Sequence, residues 1–306
     1  MQPQFLPAGP GSASRLFAVL HWPAGPVRGL VVHAPAFGEE MNKARRMVAL
    51  QARALAAAGH AVLVPDLSGC GDSEGDFGQA TWQGWVEDVV HACQCLRQQC
   101  RERNTSQGTP LPPLTLWGLR AGALLAAQAA AQLGDVPQLL LWQPAVAGKP
   151  LLQQFLRLAA VGDLLGGAQA GSAGTAALRQ QLQAGTAVEV AGYNVHPALA
   201  QGLEAARLEP LAGVRQLAWL ECSPREEVTI SPTAAAPLAA WRGAGCAVQA
   251  QAVQGPAFWQ TTEIEDAPAL IQATLNQVRG HEMMGSGLDF QGIGSGLEFC
   301  LERVKT

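Results

Sequence analysis

The feature that most constrains this chain is a repeated alternation of short, mainly apolar runs with helix-patterned segments. "GLVVHAPA" (29–36), "HAVLVPDL" (60–67), "LTLW" (114–117) and "PQLLLWQP" (137–144) each read as a strand. Strands apolar on both faces suit a parallel sheet that is covered on both sides. Between them, "MVALQARALAAAG" (47–59) and "TWQGWVEDVVHACQCLRQQC" (81–100) carry helical spacing, and 121–133 predicts a further helix. The first of these stops at a Gly, a common helix end. The alternation therefore predicts an α/β fold: a mostly parallel central sheet with helices on both faces. "RLFAVLHW" adds a strand candidate near the N-terminus, and "RERNTSQGTPLPP" (101–113) reads as a surface loop.

The rhythm breaks near residue 149. It returns with a strand at 215–222, a helix in "SPTAAAPLAAWRGAG", a strand at 246–253 and a helix at 267–278. The stretch between is helical and interrupted by Gly and Ala. We expect a core made of 1–148 and 211–280, an inserted helical cap over 149–210, and a Gly-rich C-terminal tail, 281–306, with no assigned structure. A chain of 306 residues can bury one large core.

Composition narrows the function classes. The chain is 48% hydrophobic and 14% charged, so it is globular. A net charge of −4 gives no basic footprint for nucleic acid. No uninterrupted apolar run reaches the roughly 18 residues of a membrane span. The first residues lack the charged-then-apolar pattern of a secretory signal. Seven scattered cysteines, without histidines at zinc spacing, lead us to expect reduced thiols in the cytoplasm, no metal and no cofactor.

The chemistry concentrates in "LTLWGLRAG" (114–122). An apolar run meets Gly118, then Arg120, then Gly122, and an Ala/Leu-rich helix follows. This is the layout of a nucleophile elbow, G-x-S-x-G, which holds a serine on a sharp strand-to-helix turn. Arg120 stands in the serine's place. Two other stretches fit around it: "VVHAPAFGEEMNK" has the form of a strand and oxyanion loop, and "VPDLSGCGDSEGDF" carries Asp66, Gly69, Gly71, Ser73 and Gly75 in a D-x-x-G-x-G-x-S-x-G pattern.

On these motifs, in this order, the chain resembles the α/β-hydrolases over about residues 15–280. "LWGLRAG" and "VQGPAFWQTTEIEDAPALI" are similar to a narrower set, the exosortase A system-associated hydrolase 2 group, which accompanies a bacterial protein-sorting and exopolysaccharide system. The resemblance implies the α/β-hydrolase fold, a cleft at the elbow and partners in that pathway. It does not name a substrate.

Residue by residue, the hydrolase triad fails. A guanidinium stays protonated and has no lone pair with which to attack a carbonyl. The acid position falls near Glu226 or Glu227, in a segment that reads equally as a solvated loop. The base position falls in Gly255-Pro256-Ala257-Phe258-Trp259, which holds no histidine; the next one is His281, beyond the helix expected at 267–278. Without a positioned base, about 10²–10⁴ in rate is lost. His33 is the remaining candidate base, against a structural role at the end of its strand. Cys70 and Ser73 read as structural parts of the Gly-rich loop. His196, in the cap, faces the cleft or packs on Tyr193.

A cation at the amino end of a helix needs a negative partner. One reading is an internal ion pair with Glu39 or Glu40, or with Glu226 or Glu227. The other is an anion site built from Arg120, Ala121, Ala36, Phe37, Glu39 and Glu40, holding a carboxylate or phosphate. The expectations are therefore a non-hydrolytic protein that binds an anionic ligand or partner, or an ester- or thioester-class hydrolase with an unusual constellation.

Overall fold

A computed structural model describes residues 1–7, 9, 15–103, 110–165 and 172–285. Its centre is an eight-stranded sheet in the order β1-β2-β4-β3-β5-β6-β9-β10. The parallel strands are β3 (Gly29–Ala34), β4 (His60–Pro65), β5 (Leu114–Leu119), β6 (Gln138–Trp142), β9 (Gln216–Ser223) and β10 (Ala247–Gln254). Every residue of β3, β5 and β6 is buried, as their mainly apolar runs require in a sheet covered on both faces.

Side chains alternate between two cores. On one face Trp117, Trp142 and Leu140 meet α1 (Glu39–Ala57) and α8 (Pro268–Gly285). On the other, Leu116, Leu139 and Trp219 meet α2 (Trp82–Arg103), α3 (Gly122–Leu133) and α7 (Ala235–Gly243). This is the α/β-hydrolase arrangement.

Several elements depart from the pattern reading, each for a local reason. Two antiparallel strands, β1 (Gln2–Phe5) and β2 (Phe17–His21), extend the sheet at one edge. β1 was invisible because it is polar and contains Pro3, residues an edge strand tolerates. α1 begins at Glu39, not near 47, with Gly38 at its start in the left-handed region (φ 58). Its two leading glutamates, suited to a helix amino end, replace the usual side-chain cap. α8 runs to Gly285, so His281 falls within that helix and not beyond it.

Between β6 and β9 the insertion is not purely helical. α4 (Gly148–Leu165), α5 (Ser172–Gln183) and α6 (Pro197–Ala205) accompany a hairpin of β7 (Val188–Val190) and β8 (Tyr193–Val195). The hairpin turns on Ala191 (φ 49) and Gly192 (φ 84). A two-residue turn with both φ positive normally announces itself as Asn-Gly or Asp-Gly, and alanine hides it. Residues 286–306, most of the tail, lie outside the described residues.

Candidate functional site

The elbow is built despite the arginine. β5 ends at Leu119, Arg120 adopts φ 55, and α3 starts at Gly122. The Arg120 amide donates to the Trp142 carbonyl (3.1 Å), and its own carbonyl accepts from the Ala123 and Ala145 amides (3.1 Å each). Gly122 is dictated by space: a Cβ there would lie 2.0 Å from the Ala34 carbonyl oxygen. A non-glycine residue in the left-handed region costs about 1–2 kcal/mol. Arg120 thus holds a strained backbone that the turn imposes.

Its side chain is mostly buried against Glu40. Nε faces both carboxylate oxygens of Glu40 at 3.2 Å, and Nη2 reaches Gln154 Oε1 at 3.5 Å. The guanidinium carbon is 5.9 Å from the Trp259 ring centre. The Arg120 and Glu40 side chains are 15% and 17% exposed, so the pair is largely desolvated. Gln260, on the loop after β10 where a hydrolase base would stand, donates Nε2 to Glu40 (3.1 Å). Lys43 donates to the Gln260 carbonyl (3.3 Å). Glu39, next in the chain, turns the other way. It accepts from Tyr193 OH and Asn42 Nδ2, each at 3.2 Å, so it is tied to the β7–β8 hairpin.

A cavity of about 300 Å³ opens over this cluster. Phe37, Leu151, Phe155, Leu158 and Trp259 form its apolar wall, and Glu39, Glu40, Lys43, Gln154 and Gln260 supply the polar groups. Phe37 is held by edge-on contacts to Phe155 (4.9 Å) and Trp85 (5.8 Å).

Glu40, Glu39 and Phe37 line this cleft, and Arg120 does not line it but is paired to Glu40. Ala36 and Ala121 are buried beneath it, 5% and 1% exposed, and do not line the cavity. Glu226 and Glu227 are exposed in the loop after β9. Neither makes a hydrogen bond to a described residue. The buried carboxylate of β9 is instead Glu221, which accepts from Trp219 Nε1 and from the amide and hydroxyl of Ser231.

His33 does not reach the cleft. It is 2% exposed, packs on Trp117 (4.3 Å between ring centres) and places Nδ1 3.0 Å from the Trp117 carbonyl. That carbonyl can only accept, so the Nδ1 proton is committed to it. Burial lowers the pKa to about 3. A group so reluctant to take a proton is a poor base at neutral pH, so His33 is a buried structural residue of β3 and not the candidate base.

His196 is not among the residues that line the cavity. It caps α6, with Nδ1 accepting from the Ala198 amide (3.2 Å). In the Gly-rich loop, Ser73 Oγ donates to the Asp66 carbonyl (2.6 Å) and accepts from the Phe17 amide (2.8 Å). Cys70 is buried and its thiol is pushed up to about 12, chiefly by desolvation. Both serve the loop's shape. Among the described residues, no group of three or more His, Cys, Asp or Glu is placed to hold a metal, and no disulfide joins the six described cysteines. Gln154, Gln260, Lys43 and Tyr193 escaped the sequence reading. Gln260 directly follows the quoted base loop, whereas nothing local marks Gln154 or Tyr193.

The family profile described as serine aminopeptidase, S33, matches residues 25–202, more than half of the chain and the whole of the elbow and Gly-rich loop. The chain belongs to the serine aminopeptidase S33 family. Solved structures agree on the fold of this S33-family chain. Est1E from Butyrivibrio proteoclasticus with ferulic acid bound is 14% identical, with a TM-score of 0.57, covering 92% of this chain and 98% of that one. The alpha/beta hydrolase domain-containing protein 10 from mouse is 14% identical, with a TM-score of 0.51, covering 93% and 99%. Likeness at these identities is one of fold. Among curated proteins none matches. Among the described residues of this S33-family chain, no helix is long and apolar enough to cross a membrane.

Proposed function

We propose that this chain uses its hydrolase cleft to bind a ligand or partner and does not carry out acyl transfer. The observation that carries this reading is the Arg120–Glu40 ion pair on the strained elbow, with Gln260 beside it where a base would be needed. A serine hydrolase requires a nucleophile, a base and an orienting acid in mutual contact. Here the elbow offers a fixed cation, the neighbouring loop offers an amide, and the acid candidate Glu226 lies exposed on another loop.

Residues 149–210 act in this reading as a cap whose α4 contributes Leu151, Gln154, Phe155 and Leu158 to the cavity wall. The setting we propose is cytoplasmic, within the exosortase-associated pathway, on the strength of the "LWGLRAG" and "VQGPAFWQTTEIEDAPALI" wording. The test is turnover by purified protein on p-nitrophenyl esters and acyl thioesters of short and long chain. The expected result is the blank rate. Multiple turnovers that vanish in Arg120→Ala would overturn the reading in favour of an unusual hydrolase.

A further inference from the structure

We infer that the cavity over Arg120 takes a monocarboxylate with an apolar tail, and that Glu40 occupies the carboxylate's seat until the ligand exchanges with it. This rests on the binding role proposed above and names the class of ligand.

The argument starts from the charge already seated there. Glu40 presents a carboxylate to Arg120 Nε at 3.2 Å on both oxygens. An incoming carboxylate can take the Nε contact that Glu40 now holds and reach Nη2 with its second oxygen, the parallel pairing that suits a guanidinium fork. Among the described residues Nη2 is engaged only by Gln154 at 3.5 Å, the limit of a hydrogen bond, so a shorter partner can take it. Glu39, Glu40 and Lys43 line the cavity, and Arg120 is paired to the lining residue Glu40, so two carboxylates face two cations. A monoanion entering this balanced set adds a single charge. A phosphate dianion would face the same two carboxylates at greater cost. The wall of Phe37, Leu151, Phe155, Leu158 and Trp259 suits an aliphatic or aromatic tail.

Exchange also needs somewhere for Glu40 to go. Lys43 is three residues further along α1, the spacing at which helical side chains meet. Among the described residues Lys43 bonds only to the Gln260 carbonyl, while the Gln260 amide bonds Glu40, so the two charges already share one residue. When the ligand claims Arg120, Glu40 rotates onto Lys43 and the released anion is not left unpaired. Glu39 cannot take this part, because Tyr193 and Asn42 hold it on the hairpin side.

The test is calorimetric titration of the full chain with octanoate, octanamide and octylamine, probes of one tail length and three head groups. Octanoate should bind at least about tenfold more tightly than octanamide, the discrimination expected of a charge-assisted contact. Arg120→Gln should erase that preference, and Lys43→Gln should weaken octanoate while leaving octanamide unchanged. Comparison among probes on the unmutated protein stands even if Arg120→Gln fails to fold. Equal binding of octanamide, tighter binding of octylamine, or no binding of any probe overturns the inference. Equal binding of octanamide with no ester turnover leaves the binding role standing and removes only the carboxylate. Turnover of octanoyl esters removes the binding role itself. A Lys43→Gln effect of equal size on both octanoate and octanamide refutes the exchange.

Discussion

Arg120→Gly should cost stability when Glu40 is intact and cost almost none once Glu40→Gln has been made. Glycine relieves the left-handed backbone at residue 120, a gain of about 1–2 kcal/mol. It also removes an arginine stem packed near Trp259, a loss of about 1 kcal/mol. These nearly cancel, and the ion pair decides the sign. Orphaning one partner of a fully buried pair costs about 3–5 kcal/mol. Here the side chains keep 15% and 17% exposure, and Gln260 and Lys43 stand beside Glu40, so we expect about 2 kcal/mol. The double-mutant cycle should therefore give a coupling of about 2 kcal/mol. Urea unfolding of the four proteins measures it directly, provided the denaturant slope stays constant. An equal free-energy change for Arg120→Gly in both backgrounds would refute the claim that the pair, and not the turn alone, holds this arginine in place.

Three further outcomes are expected. The folded state keeps His33 neutral to a pKa of about 3, whereas the unfolded chain binds its proton near 6.5, so stability should fall as pH drops from about 6.5 toward 3; the pH dependence of unfolding in His33→Asn should lose up to about 1.4 kcal/mol per pH unit across that window, and an unchanged slope would contradict the buried, neutral assignment. Gly122→Ala pushes a methyl to within 2.0 Å of the Ala34 carbonyl oxygen and should lower stability by about 3 kcal/mol or more, read from the unfolding midpoint; a normal midpoint would mean the elbow is looser than described. Arg120→Ser alone should remain at the blank rate on p-nitrophenyl esters, because Gln260, and not a histidine, stands beside Glu40 on the loop after β10, and measurable turnover would reveal a base elsewhere.

What could be read from the sequence was whatever local pattern determines. Strands such as β3 and β6 are buried on both faces and are apolar at nearly every position, and their runs were visible. The elbow was legible because Gly118 and Gly122 are fixed by sterics, even with an arginine between them. β1 was hidden because an edge strand has no buried face to betray it. The β7–β8 hairpin was hidden because alanine took a position usually held by asparagine or aspartate. The partner of Arg120 was narrowed to a few glutamates by charge alone. Choosing among them required the path of α1, whose early start at Glu39 had no cap signal. His33 showed the reverse limit: its place in the chain fits a base, and only its burial against Trp117 assigns it to the core. Gln154 and Tyr193 arrive from the insertion through long-range packing that no local spacing records.

The ion pair also shapes which neighbouring sequences this chain can reach. A serine at 120 is the substitution that would recreate a standard elbow, yet made alone it strands Glu40 in a cleft where its cationic partner has gone. Made second, after Glu40 has changed, it follows a step that leaves Arg120 unneutralised. Either order crosses a less stable intermediate, so the two positions are expected to change together or not at all. Sequences with a small residue at one position and the charge kept at the other should be scarce among close relatives.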